Sequence, residues 1–250
     1  MSRSRAAIVL AAGKGKRMKS DLPKVLHPIN GRPIIAILLD SLLQLQLSQV
    51  VVVIGYMGEA VQKELTDYPV TFVWQRQQLG TAHAVQMARE VLGGFQGTTL
   101  VALGDVPFLT EATIRQLYTV HEDTGAAATC LSAVLEDPTG YGRIVRDGQS
   151  NRLRDIIEDR DTSIRERKIR EINTGLFCFD NKLLFEVLAQ VNNDNEQGEY
   201  YLTDTVKILH RKNLVVSVVT VENPDEALGV NSEEQLQLLA RKFDRLSGNR

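Results

Sequence analysis

Short apolar runs rich in β-branched residues alternate with amphipathic segments over the first half of the chain. Runs of this length and composition predict buried strands, whereas the segments between them have the spacing of helices. Regular alternation of this kind is typical of a parallel, doubly wound sheet with helices on both faces. The predicted strands are residues 6–10, 50–54, 71–74 and 98–103, and the predicted helices are residues 34–47, 59–65 and 82–92.

The pattern becomes less regular after a predicted helix at residues 110–124. Several strands with irregular connections follow, then two helices, a last strand and an amphipathic terminal helix. We interpret this part as a mixed-sheet extension that covers a crevice on the first half and binds a second substrate there. The predicted strands are residues 126–134, 142–145, 153–157, 172–179 and 215–221, and the predicted helices are residues 182–191, 201–210 and 232–246.

Both patterns together predict a single α/β domain with a doubly wound, mostly parallel, Rossmann-like sheet and a mixed-sheet extension. With 250 residues and 43% hydrophobic content, the chain can bury a sufficient core without a metal or a disulfide. We divide it into a first half at residues 1–125, a second half at residues 126–231 and a terminal helix at residues 232–250. The apolar side of that helix predicts either packing on the domain or a subunit contact, so a homo-oligomer stays open.

The charge balance and the apolar runs narrow the classes of partner. The chain has 29 basic and 31 acidic residues, without the basic surplus that binding to a nucleic-acid backbone requires. No stretch approaches the roughly 18 apolar residues of a membrane span. Cys130 and Cys178 lie in apolar runs and are expected to be buried in a reducing compartment. We therefore expect a cytoplasmic protein without a nucleic-acid or membrane partner.

The strongest local signal is the segment LAAGKGKRM at residues 10–18, directly after the first predicted strand. Its glycines allow the backbone to bend around phosphate oxygens, and Lys14, Lys16 and Arg17, with Lys24 shortly after, supply positive charge. The segment is not a Walker A loop. A dinucleotide-binding turn is disfavoured because Met18 stands where a third glycine should open a helix. We interpret the segment as a triphosphate-binding loop.

Asp105 follows the fourth predicted strand and precedes Pro107. In doubly wound sheets, ligands bind beyond the carboxyl ends of the strands, so the loops after Leu10, Trp74 and Leu103 are expected to share one crevice. An aspartate at that edge is a candidate Mg²⁺ ligand, because Mg²⁺ takes few protein oxygens and leaves the others to water and phosphate. An aspartate at a strand end can also serve only as a turn or helix cap.

These residue types favour in-line attack of a sugar phosphate on the α-phosphorus of a nucleoside triphosphate, with pyrophosphate as the leaving group. The attacking phosphate is already ionised, so catalysis requires positioning and charge neutralisation rather than an activated nucleophile. In this scheme Arg17 and Lys24 balance the phosphate charge and Asp105 holds the metal. The four histidines have no metal-ligand spacing and are expected to be structural. They are His27, His83, His121 and His210.

Eight short motifs, in order along nearly the whole chain, resemble the uridylyltransferase domain of the bacterial bifunctional enzyme that makes UDP-N-acetylglucosamine. The resemblance implies Mg²⁺-dependent transfer of a uridylyl group from UTP to N-acetylglucosamine 1-phosphate. The enzymes of that family also carry an acetyltransferase half of hexapeptide repeats, a pattern that is not expected here after Asn231. The motifs are LAAGKG with RM (10–18), LPKVLH (22–27), QLGT (78–81), GDVP (104–107), DPTGYGRI (137–144), EINTG (171–175), GEYY (198–201) and GVN (229–231).

The resemblance also implies a role for individual residues. The amide of Gln75 would pair with the uracil edge, Lys24 would contact phosphate, and Asp105 and Asn231 would hold Mg²⁺. Gly142, Glu158 and Asn173 would line the pocket for the acetamido sugar. The implied uracil site comprises Leu10, Ala11, Ala12, Gly13, Gln75, Gly80 and Thr81, and Leu103 and Gly104 would join Asp105 at the substrate site.

Two positions depart from the family pattern and keep other activities open. The family usually has threonine where Lys16 stands and tyrosine where Leu103 stands, which bears on the choice of acceptor. One alternative is therefore a nucleotidyltransferase for another sugar phosphate or another base. A different class is a non-catalytic nucleotide-sugar-binding protein, although retention of the cationic and metal-binding positions argues against it.

Overall fold

The computed structural model describes residues 4–15, 18, 20–148, 152–230 and 232–247. The strands are β1 (Arg5–Ala11), β2 (Pro28–Ile29), β3 (Arg32–Pro33), β4 (Gln49–Ile54), β5 (Thr71–Trp74), β6 (Thr98–Leu103), β7 (Ala128–Val134), β8 (Arg143–Arg146), β9 (Leu153–Ile157), β10 (Glu171–Asp180) and β11 (Val216–Thr220). The helices are α1 (Ile34–Leu43), α2 (Gly58–Glu64), α3 (Thr81–Met87), α4 (Arg89–Leu92), α5 (Glu111–Thr124), α6 (Asn181–Leu188), α7 (Asp204–Arg211) and α8 (Glu233–Ser247).

A nine-stranded sheet forms the centre of the molecule, with the order β11-β7-β10-β6-β1-β4-β5. Strand β8 also pairs with β10, and β9 pairs with β8. The pairs β1–β4, β1–β6 and β4–β5 are parallel. Their carboxyl ends therefore lie at the same edge of the sheet. This part confirms the predicted doubly wound, Rossmann-like arrangement of the first half.

The second half joins this sheet instead of forming a separate one. Strand β10 runs antiparallel between β6 and β7, and β8 pairs with both β10 and β9. The register of β10 against β7 shifts between Asn173 and Phe177, where Gly175 has a positive φ of 82°. Only glycine adopts this conformation without strain. The predicted mixed-sheet extension is confirmed, and its irregularity lies beside the edge where the parallel strands end.

The core occupies both faces of the sheet. Successive residues of β1 point to opposite faces, so Ala7 and Val9 pack in one cluster while Ala6 and Ile8 pack in the other. A strand that is buried on both faces reads as a continuous apolar run, which is why the sequence identified it. The two faces together bury enough apolar area to hold the strand ends rigid.

Four predicted helices differ from the structure by three residues or more or are divided, and the one predicted at residues 182–191 ends early at Leu188. Helix α1 ends at Leu43 rather than residue 47, because Gln46 adopts a left-handed φ of 52° that reverses the chain. The predicted helix at residues 82–92 divides into α3 and α4 at Ala88, whose amide donates to Val85 O three residues back. Helix α7 begins at Asp204 rather than residue 201, because the preceding residues bond to the loop at Gly80 instead.

The hairpin of β2 and β3 was absent from the prediction. Asn30 and Gly31 form its turn with φ of 50° and 79°, the conformation that Asn-Gly favours in a two-residue hairpin. Ile29 of this hairpin is buried with Phe108 and with Leu239 of α8. The apolar residues Leu236, Leu239 and Ala240 of the terminal helix therefore pack on the rest of the chain.

Both cysteines are free and buried, as predicted. Burial raises the pKa of the Cys130 and Cys178 thiols well above the usual value, so neither is suited to act as a nucleophile. Among the residues that the structure describes, no helix has the length and apolar character needed to span a membrane.

Candidate functional site

The loops after four parallel strands meet at one edge of the sheet through backbone hydrogen bonds. The amide of Gly104 donates to Leu10 O at 2.9 Å, and the amide of Tyr56 donates to Ala12 O at 3.0 Å. The amide of Gln75 donates to Ile54 O at 2.8 Å. Main-chain bonds therefore join these loops at the edge where strand order predicted the crevice.

Lys24 and Asp105, predicted to act on the same triphosphate, form an ion pair at this edge. Asp105 is only 8% exposed, and Lys24 is partly buried. Gly15 has a φ of 60°, and a Cβ atom at that position would lie 2.7 Å from Lys24 Cβ. The glycine-rich loop thus packs directly on the stem of Lys24 and holds the ammonium group against the carboxylate.

The segment before Asn231 is held against the same aspartate. The amide of Val230 donates to Asp105 O at 2.9 Å. The turn that precedes it is fixed by Glu226, whose carboxylate accepts from Thr110 Oγ1 at 2.8 Å and from Thr113 Oγ1 at 2.7 Å. Asn231 itself, like Arg17 and Lys16, lies outside the described residues.

The residues implied in uracil binding lie at the ends of β1 and β5 and at the start of α3, and Gly55, after β4, lies beside them. A Cβ atom at Gly55 would meet Gln75 O at 2.7 Å, Ala12 Cβ at 2.9 Å and Gln78 Nε2 at 2.9 Å. Gln75 is 3% exposed, whereas Gly13 is exposed at the rim. We call this set, with Lys24 and Asp105, the first-half side of the crevice.

Gly142, Glu158 and Asn173 converge on the opposite side, which we call the second-half side. A Cβ atom at Gly142 would lie 3.5 Å from Glu158 Oε2 and 3.6 Å from Asn173 Cβ, and the amide of Asn173 donates to Gly142 O at 2.8 Å. Asn173 Oδ1 accepts from the amide of Gly175 at 2.9 Å. The side-chain amide protons of Asn173 have no acceptor among the described residues and are available to a ligand.

A cavity of about 210 Å³ opens between the two sides. It contains the second-half residues and reaches Asp105 and Leu103, but Gln75, Lys24 and residues 10–13 lie outside it. The structure therefore brings the predicted acceptor residues to one cavity together with Thr81, whereas the other predicted base contacts lie outside it. The lining residues are Thr81, Leu103, Asp105, Val106, Gly140, Tyr141, Gly142, Glu158, Asn173, Thr174, Gly175, Phe177, Leu202, Thr203, Ala227 and Gly229.

Glu158 is the most perturbed acid in this cavity. Burial raises the pKa of its carboxyl, and the negative charges of Asp161 and Asp204 raise it further. Thr203 opposes the shift, because its hydroxyl donates to Glu158 Oε1 at 2.9 Å and stabilises the charged form. A carboxylate with a raised pKa and few fixed donors is well prepared to accept hydrogen bonds from hydroxyl groups of a ligand.

Thr203 belongs to a segment at residues 198–203 that touches both sides of the crevice. The amide of Leu202 donates to Thr81 Oγ1 at 2.9 Å, and the amide of Tyr200 donates to Leu79 O at 2.9 Å. The sequence was interpreted as helical from residue 201, so Thr203 was missed as a lining residue. The turn-forming GEYY motif immediately before it was the signal that could have located it.

Arg143 was also missed, although it lies inside the GYGRI motif. Its side chain is 2% exposed, and its guanidinium donates to Tyr141 O and to Asp159 Oδ1, the latter at 2.8 Å. Tyr141 and the neighbour of Asp159, Glu158, both line the cavity. Arg143 thus ties together the two loops that form the second-half side.

Among the described residues, no group of three or more acidic, histidine or cysteine side chains forms a metal site. A single carboxylate at the cavity edge, Asp105, nevertheless fits Mg²⁺, which binds one or two protein oxygens and keeps its other positions for water and phosphate. Asp105 is therefore the described residue that could hold such an ion.

The family model for the MobA-like NTP transferase domain matches residues 7–202, which include most of β1 and most residues that line the cavity. The chain belongs to this family. The match confirms the expected nucleotidyltransferase class and its Rossmann-like fold.

Curated relatives confirm the resemblance that the motifs indicated. The chain is 47% identical to "Bifunctional protein GlmU" of Enterococcus faecalis over 233 residues, which are 93% of this chain and 50% of that protein. It is 50% identical to "Bifunctional protein GlmU" of Brevibacillus brevis over 230 residues, 92% of this chain and 50% of that protein. The chain thus spans about half the length of the curated relatives it matches.

A solved structure shows the same fold at low sequence identity. UDP-glucose pyrophosphorylase complexed with UDP-glucose superposes with a TM-score of 0.76 and 15% identity, over 97% of this chain and 99% of that chain. At this identity the similarity concerns the fold alone.

Proposed function

We propose that this NTP transferase domain transfers a uridylyl group from UTP to N-acetylglucosamine 1-phosphate and releases pyrophosphate. The observation that supports this most is the ion pair of Lys24 and Asp105 at the edge of the cavity. This pair would supply a cation and a metal ligand at the point where we propose that the triphosphate and the sugar phosphate meet. The sequence resemblance supports the choice of UTP and of the acetamido sugar.

The residues of the first-half side would bind and orient the nucleotide. Residues Leu10 to Gly13 and the loop at Gly80 would surround the base, and Gln75 would hydrogen-bond its edge. Lys24, with Arg17, would neutralise charge on the phosphates as the oxygen of the acceptor attacks the α-phosphorus. Because the attacking oxygen is already ionised, no side chain has to remove a proton.

A magnesium ion, when bound, would neutralise the triphosphate and orient its oxygens. Asp105 would hold it from the first-half side, and Asn231 is the second proposed ligand. The carboxylate of Asp105 now accepts from Lys24, so that ammonium group would move to phosphate when a ligand binds. The ammonium group of Lys24 would then pair with phosphate and the carboxylate of Asp105 with the magnesium ion, so neither charge would be left unpaired.

The residues of the second-half side would bind the sugar. Glu158 would accept hydrogen bonds from sugar hydroxyls, Asn173 would donate from its side-chain amide, and Gly142 would allow close approach of the ring. Their convergence within the 210 Å³ cavity supports this assignment. The buried thiols of Cys130 and Cys178 are consistent with a reducing compartment, and we propose the cytoplasm as the location.

A second candidate keeps the reaction and changes the acceptor sugar. Leu103 lines the cavity with an apolar side chain, and its Cδ1 would lie 2.3 Å from a Cβ atom at Gly175. A hydroxyl-bearing side chain at this position would add a hydrogen bond that Leu103 does not offer. This observation keeps sugar phosphates other than N-acetylglucosamine 1-phosphate within the test.

The test is release of pyrophosphate by the purified protein, with MgCl₂, from each of the four common nucleoside triphosphates and a panel of sugar 1-phosphates. We expect the highest kcat/KM for UTP with N-acetylglucosamine 1-phosphate, and loss of activity with EDTA. A higher kcat/KM for another pair would replace the proposed substrates. Binding of UDP-N-acetylglucosamine with no release of pyrophosphate would instead indicate a non-catalytic nucleotide-sugar-binding protein.

A further inference from the structure

The side-chain amide of Gln75 has two hydrogen-bond partners that come from the next turn of the chain. Its Nε2 atom lies 3.0 Å from Gly80 O and 3.0 Å from His83 Nδ1. Gln75 is 3% exposed, and its Oε1 atom has no partner among the described residues. Both protons of the amide are therefore used inside the protein, while the oxygen is left for a ligand.

The chemistry of these partners fixes which end of the amide faces them. A carbonyl oxygen can only accept, so the nitrogen of Gln75 and not its oxygen must lie against Gly80 O. The second proton of that nitrogen then requires an acceptor, and His83 Nδ1 can accept only when the ring carries its proton on Nε2. The contact thus assigns both the orientation of Gln75 and the tautomer of His83.

The two partners are held rigidly by the segment at residues 198–203. A Cβ atom at Gly80 would lie 2.5 Å from Tyr200 O, and the amide of Ala82 donates to Tyr200 O at 2.9 Å. His83 follows in the first turn of α3, where Ala84 N donates to Gly80 O at 3.1 Å. The loop cannot shift without breaking these bonds, so it acts as a fixed frame for the amide of Gln75.

We propose that His83 is a positioning residue that makes the nucleotide site selective for uracil over cytosine. The inference rests on the proposed function, which places the base beside Gln75. With the amide held as described, Oε1 presents a pure acceptor to the base. The N3 position of uracil carries a proton and donates to it, whereas N3 of cytosine is itself an acceptor.

Without His83 the second amide proton would lose its acceptor, and the Gln75 side chain could turn its NH₂ group toward the base. In that orientation the NH₂ group would donate to N3 of cytosine. The preference of the site for uracil over cytosine would then fall. Leaving a hydrogen-bonding group without its partner in a binding site changes affinity by about five- to a hundredfold. We expect the lower end of this range, because Gly80 O still favours the native orientation.

The experiment compares His83→Leu with His83→Asn. Leucine removes the acceptor, whereas Asn Oδ1 occupies a place similar to that of Nδ1 and restores it. The readout is the ratio of kcat/KM for UTP to kcat/KM for CTP at saturating N-acetylglucosamine 1-phosphate. A preparation that is partly unfolded lowers both efficiencies equally, so the ratio reports on the amide and not on stability. His210→Leu, at an exposed position of α7, is the matched control.

We expect His83→Leu to lower the ratio by about five- to tenfold, with His83→Asn and His210→Leu close to the unaltered protein. An unchanged ratio in His83→Leu would overturn the inference while leaving the proposed function in place. If the unaltered protein does not turn over UTP, the proposed function fails. The contact between Gln75 and His83 then has to be tested by a measurement that does not depend on activity.

That measurement is nitrogen-15 NMR of the unaltered, ligand-free protein, which identifies the protonated ring nitrogen of His83 without any variant. A proton on Nε2 with a free Nδ1 is the expected result. A proton on Nδ1 would overturn the inference whatever the protein catalyses, because Nδ1 could then not accept from Gln75. This measurement also covers the case in which His83→Leu does not fold.

Discussion

The two sides of the crevice are built in different ways. The first-half side rests on main-chain bonds between the ends of parallel strands, such as Gly104 N to Leu10 O. The second-half side rests on side chains that cross from one loop to another, with Arg143 bonded to Asp159 and Thr203 bonded to Glu158. A backbone frame tolerates changes of side chain, whereas a side-chain network is sensitive to each member.

The comparison predicts that substitutions on the first-half side change catalysis, while those on the second-half side change the choice or affinity of the acceptor. Four substitutions test this division, and they are described from the largest expected effect to the smallest.

Asp105→Asn removes the carboxylate that is proposed to hold Mg²⁺ but keeps its size. We expect kcat to fall at least about a hundredfold, because a preorganised charge at the phosphates is lost. Pyrophosphate release measures the effect, and circular dichroism checks the fold. Asp123→Asn, at an exposed position of α5, is the matched control. A rate close to that of the unaltered protein would remove Asp105 from the metal site.

Lys24→Ala removes the cation that contacts Asp105. We expect kcat/KM for UTP to fall roughly thirty- to a hundredfold, which corresponds to about 2–3 kcal/mol of transition-state stabilisation. Lys63→Ala, on the exposed face of α2, controls for loss of a surface charge. If KM for the sugar phosphate rises by the same factor while KM for UTP is unchanged, Lys24 contacts the acceptor instead. That result would contradict the proposed division of the crevice.

Glu158→Gln tests the electrostatics of the second-half side through stability. Because the folded pKa of Glu158 is raised, the folded state binds its proton more tightly than the unfolded state does. The unaltered protein therefore loses stability as the pH rises through the unfolded and then the folded pKa, whereas glutamine does not titrate. We expect the variant to be the more stable protein at pH 8.

The advantage of Glu158→Gln should shrink as the pH falls toward 4. Urea denaturation at a series of pH values gives the difference in free energy of unfolding. Glu64→Gln, at the exposed end of α2 and outside the cavity, is the matched control. A difference that grows on acidification would mean that the carboxylate is stabilised in the folded protein, contrary to the burial that raises its pKa.

Leu103→Tyr adds a hydroxyl at the boundary between the two sides. We expect a change of a few-fold in the ratio of kcat/KM between N-acetylglucosamine 1-phosphate and glucose 1-phosphate, since one hydrogen bond is gained. KM for UTP should remain nearly unchanged. Leu103→Phe, which adds the ring alone, separates the hydroxyl from the change of shape. A larger effect on UTP than on the sugar would show that Leu103 belongs to the nucleotide site.

The same division explains how much could be predicted from the sequence. Strands β1, β4 and β6 were found within two residues of their bounds, because strands buried on both faces have continuous apolar sequences. The meeting of Lys24 with the loop at Asp105 follows from sheet topology, since parallel strands end at one edge. Local pattern and general rules of topology were sufficient for these strands and for the meeting of Lys24 with Asp105, whereas Gln75 and Gly80 were named only through the resemblance.

The second-half contacts could not be predicted in the same way, because they join residues far apart in the chain through specific side chains. Nothing local shows that Arg143 is buried or that it pairs with Asp159. The start of α7 was placed too early because tertiary bonds from Leu202 and Tyr200 override the helical pattern. The hairpin at Asn30 was a different omission, since its Asn-Gly signal is present in the sequence.

His83 illustrates a limit of reasoning by residue class. It was interpreted as structural because the histidines have no metal-ligand spacing, and that argument says nothing about contacts to an amide. The bond to Gln75 spans only eight residues, but it depends on the turn at Gly80 that brings α3 back over the end of β5. The proposed role of His83 in holding Gln75 therefore depends on the geometry of the turn at Gly80.

The close fit between Gly80 and the backbone of Tyr200 has an evolutionary consequence. Any side chain at position 80 would collide with main-chain atoms of Tyr200, which no substitution elsewhere can remove. Glycine is therefore required at this position whichever ligand the cavity binds. The contact of Gly80 with the segment at residues 198–203 must therefore be conserved as a unit. Substitutions that change the acceptor must therefore leave Gly80 and its contact with Tyr200 unaltered.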